Sequence, residues 1–262
     1  MKHRPHGNKS FGNSREIHTT QDGPHEGLAE RVFKHCRQPF KKPYQQHNID
    51  AFKKANNWLR GQNKPLILDS CCGVGESTRQ LAGMFPDHAV IGVDQSEDRL
   101  SRKLGELPNN ALLIRANLLD FWRLAVEAGW QPERHYLLYP NPYPKKSQFK
   151  LRWQGGPMLP YIAALGGRFE CRSNWKIYVQ EMAQAVSLLR LPTCDTLADD
   201  LNHISQDFLD KLSEQVVAIE PEPVLTPFER KYLGSGQQVY QWVFSEQNAQ
   251  QASRDDEADQ IE

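Results

Sequence analysis

No stretch of this chain approaches the roughly 18 consecutive apolar residues that a membrane-spanning helix needs. The basic opening, "MKHRPHGNKSFGNSREIH", has no apolar centre, so it does not read as a secretory signal. Cysteine is scarce and irregular: Cys36, Cys71, Cys72, Cys171 and Cys194 make an odd count of five without a single CxxC pair. That argues against a disulfide framework and a zinc site, and it points to a reducing cytoplasm. Metal-ligand spacing is missing as well. Asp195, Asp199, Asp200 and Asp207 fit no convincing ligand set, and no metal is expected. Net charge is absent, with 32 Lys and Arg against 32 Asp and Glu, but this balance conceals segregation. Residues 1–64 carry 13 basic against 5 acidic side chains, and residues 140–190 carry 8 against 2. Two cationic segments fit a polyanionic partner, although the first twenty residues read equally well as a solubilising tail.

The chain is long enough to bury a substantial core. Residues 1–25, rich in Gly, His, Asn and Thr, read as a flexible basic arm, and 26–245 as the folded domain. The last stretch, 246–262, reads as a disordered acidic tail with nothing to bury. "QHNIDAFKKANNWLR" spaces Ile49, Phe52 and Trp58 as an amphipathic helix would. From Pro65 the pattern alternates. "PLILDS", "HAVIGVD", "ALLIRAN", "HYLLYP" and "GGRFECRSN" predict five strands. Between and after them, "ESTRQLAGMF", "QSEDRLSRKLGEL", "LLDFWRLAVEAG" and "WKIYVQEMAQAVSLL" predict helices. "QVVAIE" and "QQVYQWVF" add two β-rich runs, separated by a loop containing "TPFERKYLGSG", and residues 191–215 read as partly helical. Such alternation predicts an α/β fold with a doubly wound, mostly parallel sheet of seven strands.

"LDSCCGVGESTRQLA" places Gly73 and Gly75 between a strand and a helix, where a ligand can approach both backbone and helix N-terminus. A dinucleotide fingerprint would require a third glycine where Thr78 stands. The spacing better fits the acid-x-G-x-G-x-G loop of class I (Rossmann-like) S-adenosylmethionine methyltransferases. Asp69, Gly73 and Gly75 match it, and Cys71 replaces the first glycine. A small side chain is tolerated there while φ stays negative. Asp94 ends the second strand, placed to accept hydrogen bonds from ribose hydroxyls. Asn117 follows the third strand, where an amide could read an adenine edge. Each has a bland alternative, as turn glycine, capping acid or loop amide; their order on three successive strand ends favours the cofactor site. Cys71 and Cys72 read as small buried side chains rather than reactive thiols.

Four stretches resemble the tRNA (guanine-N7) methyltransferase family: "LDSCCGVGE", "YPNPYPKKSQFKLR", "GGRFECRSNWKIYVQEM" and "TPFERKYLGSGQQVYQWVF". Members typically carry P-D-P-W-P-K-K, then T-D before a tyrosine-bearing helix, then T-K-F-E-R. The resemblance spans roughly residues 60 to 245 and implies S-adenosylmethionine as cofactor and tRNA as partner, the protein acting as a monomer or homodimer. It implies that prolines stiffen a pocket floor and that Lys145, Lys146, Lys150 and Arg152 meet phosphates. Tyr143, at the usual tryptophan position, either stacks on a base or packs the loop. Thr226 and Arg230 match the last motif, and Glu229 is left as a carboxylate for reading guanine. The chain departs from the pattern at two points. Asn141 stands at the aspartate of P-D-P, and Asn174 at the aspartate of T-D with Ser173 for its threonine. An amide offers guanine one acceptor and one mismatched donor, and a buried unpaired polar group costs about 1–3 kcal/mol. Transfer to guanine N7 is the first expectation. Methylation of another base such as adenine, which suits asparagine, and a binding protein without catalysis are the alternatives.

Overall fold

Seven apolar runs become the seven strands of one sheet in the computed structural model, which describes residues 14–190 and 204–245. The strands are β1 Leu66–Ser70, β2 Ala89–Asp94, β3 Ala111–Arg115, β4 Arg134–Leu138, β5 Arg168–Ser173, β6 Val217–Ile219 and β7 Val239–Phe244. Their order is β3-β2-β1-β4-β5-β7-β6. The first five run parallel, and β7 enters antiparallel between β5 and β6. The order turns back at β1 and β4, where a parallel sheet opens a crevice at its C-terminal edge. This is the doubly wound, mostly parallel architecture expected from the alternation.

β1 and β2 are buried along their whole length, as strands covered by helices on both faces must be. Successive side chains point to opposite faces. Leu66 and Leu68 accordingly join one core, with α1 (Leu28–Arg37), α2 (Gln46–Gln62), α5 (Leu118–Glu127), α6 (Leu159–Leu165) and α7 (Lys176–Leu189). Ile67 joins a smaller core with Leu81 and Ala82 of α3 (Glu76–Met84). Phe52 of α2 packs on Phe121 of α5 and on Trp130, with ring centroids 5.4 and 5.1 Å apart. Pairs of this kind each contribute about 0.5–1.5 kcal/mol beyond area burial.

Three parts of the chain differ from expectation. The helix expected over 95–107 is a single turn, α4 (Glu97–Leu100), none of whose residues is buried, and Gly105 takes a left-handed φ of +90° beyond it. The expected loop after β6 contains a helix, α9 (Pro227–Leu233), with Pro227 in its first turn and Thr226 and Glu229 closing a capping box. α8 (Gln206–Glu214) precedes β6; Cys194 and the expected acidic tail lie outside the described residues.

The third difference concerns the N-terminal arm. From Ser14 onward it is strapped to the domain. Ser14 N–H donates to Ser235 Oγ (3.0 Å), Thr19 Oγ1 donates to the Pro144 carbonyl (2.8 Å), and Gln21 is buried. Polar side chains with specific partners tie this segment down, which composition alone did not reveal.

Candidate active site

The C-terminal ends of the five parallel strands gather the chemistry-bearing residues. Asp69 lies near the end of β1, Asp94 closes β2, Asn117 follows β3, Asn141 follows β4 and Asn174 follows β5. Residues over a hundred positions apart thereby line one edge.

The loop after β1 is held by its own acids. Asp69 is fully buried, and its Oδ2 accepts from Ser77 Oγ (2.6 Å) and Thr78 Oγ1 (2.7 Å). Thr78 thus occupies the missing glycine's place with a hydroxyl that anchors the helix start. Burial raises the Asp69 carboxyl to about 6, against the two hydroxyl hydrogen bonds that lower it. Asp94 Oδ2 accepts the Gly73 N–H (3.0 Å) and Oδ1 the Ser96 N–H (2.8 Å), with Arg99 Nη1 at 3.6 Å. Gly73 and Gly75 have φ of +60° and +76°. A Cβ on Gly75 would stand 2.7 Å from Leu113 Cδ1, whereas nothing lies within 4 Å of one on Gly73. Cys71 departs from expectation: its φ is +63°, not negative. A left-handed non-glycine residue costs roughly 1–2 kcal/mol, so the loop carries strain that a glycine there would not. Desolvation pushes the Cys71 thiol up to about 12 and the Cys72 thiol well above its ordinary range, so both stay protonated; Cys72 is buried and Cys71 half-buried.

The turn after β4 is stiff for more reasons than its prolines. Tyr139 and Tyr143 both adopt left-handed backbone, at φ +52° and +45°. Arg152, expected at a phosphate, is instead 1% exposed beneath this turn. Its Nη1 donates to both carboxylate oxygens of Glu181 on α7 (2.6 and 2.7 Å), and Nη2 donates to Gln21 Oε1 (2.7 Å). Nε and Nη2 reach the Tyr143 carbonyl at 3.1 and 3.0 Å. The planar guanidinium suits this many-sided clamp in a way a lysine would not. Tyr143 is thus fixed through its carbonyl, and its ring is half-buried. Lys145, Lys146 and Lys150 are exposed; Lys146 pairs with Glu26 at 2.9 Å, and the other two make no ion pair with a described residue. Asn141 is exposed, and Asn174 Nδ2 donates to Gln237 Oε1 (2.8 Å).

α9 brings the second correction. Glu229 is fully buried, not facing a substrate. Its Oε1 accepts from Arg172 Nη1 (2.8 Å), its Oε2 from the Leu225 N–H (2.6 Å), and its own N–H donates to Thr226 Oγ1 (3.0 Å). With no exposed surface and both oxygens engaged in capping and charge pairing, the carboxylate does not present itself to a base. Arg230, expected at the substrate, pairs with Glu76 at the start of α3. Asn117 is likewise occupied in part: its Oδ1 accepts the Leu119 N–H (2.9 Å) as the cap of α5. Sequence reasoning missed Gln21 and Glu181, whose partners lie 131 and 29 residues away; no local signal marks them. The T-x-x-E spacing with proline after the threonine does mark α9 and its cap.

A methyltransferase family model, described as "Putative methyltransferase", matches residues 63–242. The chain belongs to this methyltransferase family. It is 25% identical over 206 residues to the tRNA (guanine-N(7)-)-methyltransferase of Cytophaga hutchinsonii, covering 74% of this chain and 86% of that one. It is 24% identical over 196 residues to the enzyme of the same name from Cupriavidus necator, covering 72% and 69%. A solved antibiotic-related methyltransferase matches with a TM-score of 0.47 at 14% identity, over 78% of this chain and 96% of that one.

The methyl donor of this methyltransferase is S-adenosylmethionine, and the residues present fit it. The space above Gly73 leaves its backbone open to approach. Asp69 holds the start of α3 from below through Ser77 and Thr78, which keeps the glycine loop in place. Asp94 uses each oxygen once within the protein, which leaves lone pairs for ribose hydroxyls. At Asn117 the Nδ2 donor is the group left for an adenine ring.

Proposed function

We propose that the protein methylates tRNA at guanine N7. The observation that carries this reading is the turn at residues 139–146. It is tethered by Arg152 and Thr19, it carries the exposed Asn141 and Lys145, and it stands at the same sheet edge as the glycine loop. The relatives' names point the same way. When bound, S-adenosylmethionine supplies an electrophilic methyl group on a sulfonium. Guanine N7 has a free lone pair at neutral pH, so the chain's own task is to hold the base in line, by proximity and orientation. The clamp of Arg152 on the Tyr143 carbonyl and of Thr19 on the Pro144 carbonyl keeps that turn from yielding. Lys145 and Lys150 provide point charges for flanking phosphates; Asn141 offers its amide to the base, and Asn174, whose Nδ2 is held by Gln237, offers its Oδ1 acceptor. With Glu229 committed elsewhere, base reading falls to these amides.

The test is nucleoside mass spectrometry of an unmodified tRNA after incubation with methyl-labelled S-adenosylmethionine. Label in 7-methylguanosine is the expected result. The exposed amide of Asn141 favours one second reading, because asparagine pairs its donor and acceptor with adenine. Label in a methyladenosine would establish that reading and overturn the first. No transfer, with S-adenosylmethionine still bound, would leave a binding protein.

A further inference from the structure

We infer that the outer face of α9 is a stacking ledge for an RNA base neighbouring the methylated one, with Phe228 as the stacking ring and Lys231 as the phosphate partner. The inference rests on RNA being the substrate. α9 divides its side chains sharply. Glu229 is buried, while Phe228 is 42% exposed and Arg230 and Lys231 face solvent. Phe228 and Tyr232, four residues apart, share a helix face. Their rings lie 6.3 Å apart at an interplanar angle of 25°. Tyr232 in turn meets Tyr139 at 5.5 Å and 45°. Tyr139 is the first residue of the turn that carries Asn141, so three rings lead from solvent to the proposed substrate turn.

Packing alone does not account for the outermost ring, which keeps much of its surface in water. Lys231, three residues further on, makes no ion pair with a described residue. An open aromatic face beside an unengaged cation is the combination that holds an unstacked base and its phosphate. The ledge is also rigid before binding, because Arg230 ties α9 to Glu76 on α3 and the Thr226–Glu229 capping box locks its first turn. A ledge built in advance loses less entropy when a base lands on it.

The experiment measures binding of an unmodified tRNA transcript by fluorescence anisotropy, with methyl transfer measured in parallel. Base–aromatic stacking values place the Phe228→Ala loss of affinity at about 5- to 30-fold, towards the lower end of the range because the ring is half-covered. Phe228→Trp should restore binding, and S-adenosylmethionine affinity should stay unchanged in both. Lys231→Ala should flatten the salt dependence of log Kd by about 0.7–0.9, the slope that one neutralised phosphate supplies. Wild-type RNA affinity in Phe228→Ala overturns the ledge, and a simultaneous change in oligomeric state would mark α9 as a protein interface. If the wild-type protein methylates RNA and the alanine variant binds it equally well, only the ledge fails. If the wild-type protein neither binds nor methylates RNA, the functional reading fails and the ledge with it.

Discussion

Replacing Glu181 by alanine tests the clamp beneath the turn after β4. The Arg152 and Glu181 side chains are both 0% exposed and meet at 2.6 and 2.7 Å. Glu181 also accepts from Gln154 Nε2 (2.9 Å), Gln21 Nε2 (3.1 Å) and the His25 N–H (3.1 Å). The pair itself adds little net stability, because desolvating two charges offsets most of their attraction. Deleting one partner is different: it strands a buried guanidinium, at a cost of about 3–5 kcal/mol. At about 2–4 °C per kcal/mol for a domain of this size, Tm should fall by roughly 6–20 °C. Urea denaturation should show the matching loss in midpoint with an unchanged slope. The charge-free pair Arg152→Met with Glu181→Leu should recover most of that stability, yet methyl transfer should stay low. Its activity stays down because the hydrogen bonds to the Tyr143 carbonyl are gone. A cost below about 1 kcal/mol for Glu181→Ala would refute the buried clamp, since any stranded buried charge exceeds it. So would a double variant no more stable than the single one.

Two further outcomes follow from the glycine loop. Gly75→Ala should cost roughly 1–3 kcal/mol and weaken S-adenosylmethionine binding, because the new methyl combines a φ of +76° with a clash against Leu113. Gly73→Ala should cost the fold only its left-handed backbone, roughly 1–2 kcal/mol, although its methyl enters the space open to the cofactor; equal losses of the two variants in urea melts would contradict the contrast in stability. Asp69 titrates at about 6 in the folded protein against 3.8 for its ordinary value. A raised acid favours the folded state below the lower value, and that contribution is lost as pH rises through about 6. Asp69→Asn should therefore remove about 2–3 kcal/mol of the difference in urea stability between pH 4 and pH 7. An unaltered pH profile would show that burial does not perturb this carboxyl.

Much of the fold is written locally. "PLILDS" and "HAVIGVD" read as strands because parallel strands covered on both faces must be apolar throughout, and both are buried at every strand residue. "QSEDRLSRKLGEL" spaces Leu100, Leu104 and Leu107 as a helix would, but Leu104 stays exposed, Gly105 takes a left-handed φ of +90°, and the helix stops after one turn. "TPFERKYLGSG" reads as a loop when its proline and glycines are taken as breakers. Proline placed after a threonine cap begins a helix instead. The α1 pattern of Leu28, Val32 and Phe33 was also present, though its short period among charges is easily passed over.

By itself, the sequence determined the strand–helix alternation, the glycine loop with its flanking acids, and the polar residues that end each parallel strand. These are properties of neighbouring residues, set by side-chain period and backbone freedom. Tertiary structure alone decided which charges stay exposed. Lys145, Lys150 and Arg152 belong to one basic run, yet Arg152 turns inward because Glu181 and Gln21 meet it there. Glu229 reads as a free carboxylate until Arg172, 57 residues away, and the N–H groups that begin α9 claim both its oxygens. A side chain's charge is fixed by its type, but whether that charge is spent or available depends on partners brought close only by the fold.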